Sequence, residues 1–252
     1  MPNLAENSAA DSVKRPLVIG HRGASHQAPE NTIAAFLLAH QLGADGIELD
    51  VHRSADGVLV VHHDAVLDGI GLVMDRTFAE LRAALPSVPT LAETFDALVV
   101  DGVPSMKMIN VEIKCCSWDA DADPDRVVAR GVAEMVAERG LFESVAVSSF
   151  DLAMLDDIRA IDARLTTGWL IHGHNPVPAL TIAHERGHAW LHPDWGNLEL
   201  KLPETMAVAR ELNVRINTWT LDDPTTIREF AAAGVDAIIT NAPDIALGAL
   251  IA

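Results

Sequence analysis

Chemistry-bearing side chains concentrate at four places: His21-Arg22, Glu48-Leu49-Asp50, His62-His63-Asp64 and Asn110-Val111-Glu112-Ile113-Lys114. A histidine moves protons near neutral pH, and an arginine beside it is a fork for phosphate or carboxylate oxygens. On a β-strand, residues two apart share a face. Glu48 and Asp50 therefore project together, as do Asn110, Glu112 and Lys114. Two carboxylates on the inside of a strand repel each other and lose their hydration. A divalent cation between them removes both penalties, and oxygen ligands suit Mg²⁺ or Ca²⁺. Ile47, Leu49 and Val51 form the alternate, apolar set of the same strand. Packing that set outward turns Glu48 and Asp50 inward. Glu112 is the candidate third metal ligand, and Lys114 is a candidate ligand for a phosphate oxygen. Only one of His62 and His63 turns to the same side, and alternation does not say which.

These groups need elements to hold them. Strands are expected at Leu17–Gly20, Gly46–Val51, Val58–His63, Met108–Lys114, Val145–Phe150, Leu165–Ile171, Ala189–His192, Arg215–Leu221 and Val235–Thr240. A helix is expected from Pro29 to Leu42, and others at Leu91–Val100, Pro124–Arg139, Leu152–Ile161, Val177–Arg186, Pro203–Leu212 and Pro224–Ala233. Several open on Pro or Asp and close on Gly140, Gly187 or Gly234, as helix boundaries do. Strand–helix alternation over this length predicts parallel βα units and a (β/α)8 TIM barrel. Nine strand candidates are one too many. Only His52 to Gly57 separates Val51 from Val58, too short for a parallel crossover, and Asp56-Gly57 is a hairpin signal. Val58–His63 therefore folds back as an excursion, and about 52–90 becomes a hairpin and capping insertion. The domain spans 17–252 after a polar leader, 1–16. All four groups then lie at C-terminal strand ends, where barrels carry their active sites. The alternative, an open doubly wound sheet, usually has a glycine-rich phosphate loop after its first strand. This chain has His21-Arg22-Gly23 there.

Composition narrows the partners. The 252 residues are 49% hydrophobic, enough for a sizeable core. Lys plus Arg number 18 against 36 Asp plus Glu, a formal charge of -18. That surface repels nucleic-acid backbones and anionic lipid. An anionic small substrate needs local cations or a metal to reverse the field. No apolar run is long enough to span a membrane, and Met1 to Arg15 has no signal-like stretch, so a cytoplasmic location is expected. Oligomeric state is not legible. The two cysteines, Cys115 and Cys116, are adjacent, and free thiols in a reducing compartment are expected. His184-Glu185-Arg186-Gly187-His188 matches a zinc pattern, but Gly187 should end the helix before the second histidine. His172-Gly173-His174 reads as a loop. Trp195 and Trp219 sit near strand ends, where a pocket wall and core burial are both open.

In combination these segments resemble the glycerophosphodiester phosphodiesterase family. The matching stretches are His21-Arg22-Gly23-Ala24, Pro29-Glu30-Asn31-Thr32, Glu48-Leu49-Asp50-Val51, Asp56-Gly57, Val61-His62-His63-Asp64, Pro89-Thr90-Leu91, Asn110-Val111-Glu112-Ile113-Lys114, Trp219-Thr220 and Gly234 to Thr240, in the family's order. The resemblance implies a βα barrel that hydrolyses glycerophosphodiesters to sn-glycerol 3-phosphate and an alcohol. It implies metal ligation by Glu48, Asp50 and Glu112, and an acid–base pair of His21 and His63, choosing His63 over His62. Arg22 and Lys114 would contact the phosphate, and Trp219 would wall the glycerol pocket. The chain departs from the family's usual pattern at Ala65-Val66-Leu67-Asp68-Gly69 and at Asn241, where an acidic residue is common. Two rivals share this barrel, a lysophospholipase D and a phosphate-ligand binder without turnover. Binding alone does not require two histidines.

Overall fold

The computed structural model describes residues 15–100 and 102–251, so residues 1–14 of the expected leader lie outside the described residues. Nine strands form one sheet: β1 (Leu17–Gly20), β2 (Gly46–Arg53), β3 (Leu59–Val61), β4 (Met108–Ile113), β5 (Val145–Ser149), β6 (Thr166–Ile171), β7 (Trp190–Pro193), β8 (Arg215–Thr218) and β9 (Ala237–Thr240). Eight of them, all but β3, are parallel neighbours. The sheet closes where β1 meets both β9, with Leu17 beside Ala237, and β2, with Ile19 beside Gly46. The fold is a TIM barrel. β3 runs antiparallel to β2, with Val51 opposite Val61, as the Asp56-Gly57 turn predicts.

Alternation along the strands makes two layers. Ile47, Leu49, Val51, Val111 and Ile113 point outward and bury against Phe36, Phe95, Val132 and Leu155 of the surrounding helices. Ile216 and Ile238 do the same against Leu180, Met206 and Phe230 on the far side. The inward positions carry Ile19, Met108, Trp190 and Ile239. They also carry polar groups, including Asn110, whose amide donates to Ser148 Oγ at 3.0 Å. Gly168 has no side chain for a reason: a Cβ there would stand 2.4 Å from His192 Nε2.

The helices on this scaffold are α1 (Ile33–Gln41), α2 (Phe78–Ala84), α3 (Leu91–Leu98), α4 (Val127–Arg139), α5 (Leu152–Ile161), α6 (Pro176–Glu185), α7 (Trp195–Glu199), α8 (Leu202–Leu212), α9 (Pro224–Ala233) and α10 (Pro243–Ile251). Several differ from the sequence reading, among them α2 and α7, which it did not expect. The stretch from Pro29 becomes helical only at Ile33, because Asn31 adopts a left-handed backbone (φ 54°) and Thr32 caps the helix through Ala35 N. The helix from Leu91 ends at Leu98, since Val99–Val100 pairs with Val103–Pro104. α10 is apolar along nearly its whole length, so it shows no stripe for periodicity to detect. The insertion is more ordered than an irregular cap. Val60, Leu67, Val73, Leu81 and Val88 form a small separate core, and a Thr77–Glu80 capping box opens α2. Among the described residues no helix is long and apolar enough to cross a membrane.

Candidate active site

The strand register builds the site. Asp50 on β2 lies directly beside Glu112 on β4, and Glu48 is one inward position below Asp50. Glu48, Asp50 and Glu112 each present an oxygen within 4.8 Å of the others, and all three are buried. Glu48 Oε2 accepts the backbone N–H of Arg22 at 2.9 Å, while Oε1 is buried without a partner. Asn31 clamps Asp50: its amide donates to Asp50 Oδ2 at 2.8 Å, and its own oxygen accepts the Asp50 N–H at 3.3 Å. Burial, then Asp50 and Glu112, pushes the Glu48 carboxyl well above its ordinary value. Burial pushes Glu112 up as well, against the pull of Lys114. An all-oxygen donor set with an orphaned buried carboxylate oxygen fits a divalent cation. It is the one such cluster among the described residues.

The loop after β1 carries the first histidine. Arg22 is left-handed (φ 54°), and Gly23 follows at φ 88°, where a Cβ would press to 2.6 Å from the Ala35 backbone. That close approach is why glycine follows His21-Arg22. His21 Nδ1 donates to Asn241 Oδ1 at 2.7 Å, an assignment set by the Asn241 amide donating to Asp222 Oδ2 at 2.7 Å. His21 Nε2 is then the free nitrogen, 4.0 Å from Glu48 Oε2. Burial first, and Arg22 second, lower the His21 pKa.

The β2–β3 hairpin carries the second. His62 N–H donates to the Asp50 carbonyl at 3.1 Å, which returns the chain over the barrel mouth. His63 Nδ1 donates to Asp64 Oδ1 at 2.7 Å, and His63 Nε2 stands 3.2 Å from Lys114 Nζ. His62 engages the Asp64 backbone instead, so His63 is the histidine turned inward. Burial is also the main cause of the lowered His63 pKa. Lys114 pairs with Glu112 at 2.9 Å and Asp50 at 3.7 Å, which outweighs its burial and raises its pKa. Arg22 reaches Asp50 at 3.2 Å and Glu30 at 2.9 Å. His21, Arg22, Glu48, His63, Glu112 and Lys114 share the lining of a cavity of about 60 Å³, with Trp219 in its wall. Trp219 is held by its indole N–H on the His192 carbonyl at 2.8 Å and stands edge-on to Phe150. A wider cleft of about 550 Å³ adjoins, bounded by Trp118, Asp119, Phe150 and His172.

The model of the glycerophosphoryl diester phosphodiesterase family matches residues 21–245, nearly the whole barrel. The chain belongs to this family. It is an enzyme of that class, a phosphoric diester hydrolase. A glycerophosphodiester phosphodiesterase from Caldanaerobacter subterraneus subsp. tengcongensis is 34% identical over 249 residues, covering 91% of this chain and 96% of that one. A solved structure of the enzyme from Thermotoga maritima superposes with TM-score 0.77 at 29% identity, over 95% and 99% of the two chains. A phosphodiesterase from Oleispira antarctica, solved in complex with the product sn-glycerol-3-phosphate, gives TM-score 0.81 at 25% identity over 94% and 98%.

Against the family pattern, the remaining motifs fall into place. Gly187 has φ 77°, and His188 is buried against Thr167 Oγ1 at 2.9 Å, so the zinc-like pair never converges. His172 is largely exposed on a loop. Trp195 lies half-exposed at the start of α7, outside the core. Sequence reading gave no role to Asn31 and Asn241, which hold Asp50 and His21, nor to the buried pair of His52 and Asp121. His52 Nδ1 lies 2.5 Å from Asp121 Oδ2, and that carboxylate outweighs burial to raise the ring's pKa. The signal for His52 was present, since Glu48, Asp50 and His52 continue one alternating face.

Asn241 offers His21 a neutral oxygen where the family's common residue offers a carboxylate. Asn241→Asp is expected to favour the imidazolium and raise the His21 pKa. The His21 titration, followed by NMR of its ring protons, then moves to higher pH, and an unmoved titration contradicts this.

Proposed function

We propose that this barrel hydrolyses glycerophosphodiesters to sn-glycerol 3-phosphate and an alcohol, with a divalent cation, Mg²⁺ or Ca²⁺, held by Glu48, Asp50 and Glu112. The observation that carries the reading is the cluster of three buried carboxylates, two of which, Glu48 and Glu112, share one small cavity with His21 and His63. When bound, the cation supplies Lewis-acid polarisation and a template for substrate oxygens. Arg22 and Lys114 converge on the same cavity and stabilise charge developing on the phosphoryl oxygens. His21 and His63 divide the proton transfers. One Nε2 takes the proton of the attacking hydroxyl, and the other returns a proton to the leaving alcohol. Asn241 and Asp64 hold the opposite ring nitrogens and so fix which nitrogen faces the substrate. Burial lowers the pKa of both rings, which favours an unprotonated Nε2 on the one that acts as base. The attacking oxygen is the glycerol 2-hydroxyl, by way of a cyclic phosphate, or water. Trp219 packs against the glycerol carbons. The buried free thiols Cys115 and Cys116 support a reducing, cytoplasmic setting.

The test is release of sn-glycerol 3-phosphate from glycerophosphocholine, read through its dehydrogenase, after EDTA treatment and with each metal restored. Release that depends on Mg²⁺ or Ca²⁺ is expected. No release with either metal, or undiminished release in EDTA, contradicts the reading.

The rim supports a second substrate. Trp118 is 66% exposed beside the apolar cleft, a lip suited to an acyl chain. Lysophosphatidylcholine in the same assay, read as choline release, tests for lysophospholipase D activity.

A further inference from the structure

His52 and Asp121 touch neither the cavity nor the cleft, yet both are buried, at 1% and 3% exposure. His52 Nδ1 lies 2.5 Å from Asp121 Oδ2, and His52 Nε2 lies 3.0 Å from the backbone carbonyl of His63. Both partners are acceptors. The ring thus bridges a carboxylate on one side and a backbone carbonyl on the other. Asp121 belongs to the loop that follows β4, and that loop also presents Trp118 and Asp119 to the wide cleft. Next to His52, Arg53 Nε approaches Asp123 Oδ1 of the same loop at 3.8 Å. The hairpin bearing His63 and the loop bounding the cleft are therefore joined through one buried ring.

We propose that His52 and Asp121 are a positioning pair, which locks the cleft-bounding loop onto the His63 backbone and thereby sets where His63 Nε2 stands. The proposal rests on the acid–base role given to His63. The physical case lies in what else holds that histidine. Asp64, on Nδ1, is 70% exposed and gives little rigidity, and Lys114 meets only the ring's far nitrogen. The side-chain tie to the His63 backbone carbonyl is the one from His52. A buried ion pair is seldom the most stable choice, since apolar residues of like volume often serve stability as well or better. Its worth here is geometric: a ring held at both nitrogens keeps two segments at fixed separation, and a misplacement of roughly 1 Å costs on the order of 10²-fold in rate.

Asp121→Asn keeps the size and one acceptor but removes the carboxylate that holds His52 Nδ1. His52→Gln is the second variant, with only one arm able to donate at a time. Each is measured for kcat and KM on glycerophosphocholine at saturating Mg²⁺, for melting temperature, and for Mg²⁺ affinity by calorimetry. Each is then combined with His63→Ala in a double-mutant cycle. The expected result is a kcat lowered roughly 10-fold to 10²-fold with KM and Mg²⁺ affinity nearly unchanged. In the His63→Ala background the same substitution adds no further loss. An unchanged kcat in either folded variant overturns the proposal, and so does an equal loss with and without His63. Full activity of His63→Ala by itself overturns the acid–base reading, and the pair's purpose with it.

Discussion

His63→Ala is expected to lower kcat by about 10²–10⁴-fold, and His21→Ala to do the same, the range that a positioned proton transfer supplies. The argument is geometric before it is electrostatic. Each ring has Nδ1 committed, His21 to Asn241 and His63 to Asp64, which leaves Nε2 as the working nitrogen; that of His63 lies 3.2 Å from Lys114 Nζ. They enter from different elements, the loop after β1 and the β2–β3 hairpin, as donor and acceptor on opposite sides of a reacting phosphorus require. Alanine at either position leaves the three carboxylates untouched. Metal binding should therefore survive, seen as an undiminished rise in melting temperature on adding Mg²⁺ or Ca²⁺. The pairing of these readouts matters, because a merely unfolded variant loses both. Full activity in either variant contradicts the assignment.

The second large effect is expected of Glu48→Gln: loss of metal-dependent activity together with loss of metal-induced stabilisation. Burial, then Asp50 and Glu112, raises the Glu48 carboxyl in the folded protein. The folded, metal-free state thus holds this proton more tightly than the unfolded chain does. Its stability contribution is present below the ordinary glutamate value of 4.5 and is lost as pH rises through the higher folded value. Glu112 acts in the same direction. The gap in melting temperature between metal-free Glu48→Gln and metal-free wild type should consequently widen as pH rises above 4.5. A bound cation offsets that repulsion and adds about 2.7 kcal/mol at a hundred times its Kd. In Glu48→Gln the metal-free melting temperature should rise at pH 8, and the response to metal should vanish. Calorimetric melting across pH, with and without Mg²⁺, checks both. An unaltered metal response would remove Glu48 from the cation site.

The parts of this molecule that a sequence displays are those governed by short-range alternation. Glu48, Asp50, Asn110 and Glu112 lie on strands, where a period of two assigns each side chain a face, and Lys114 follows just past the end of β4. The hairpin was equally legible, because Asp56-Gly57 has room for nothing else between two paired strands. What escaped depends on contacts between distant segments. Asn31 serves Asp50 only because its left-handed backbone aims it at β2, and Asn241 reaches His21 across 220 positions of chain. The choice between His62 and His63 came from family likeness and not from period, since the strand ends at Val61 before either histidine is reached. α10 escaped because a helix apolar on all sides carries no stripe.

The central claim is that Glu48, Asp50 and Glu112 share one cation. Crystals soaked in Mn²⁺, with anomalous differences recorded at the manganese edge, test it most directly. The account predicts a single strong peak at the barrel mouth with oxygens of all three carboxylates in its coordination sphere, and its disappearance in Glu48→Gln. A peak that these three side chains do not coordinate, or none at this mouth in crystals of the active enzyme, would contradict it.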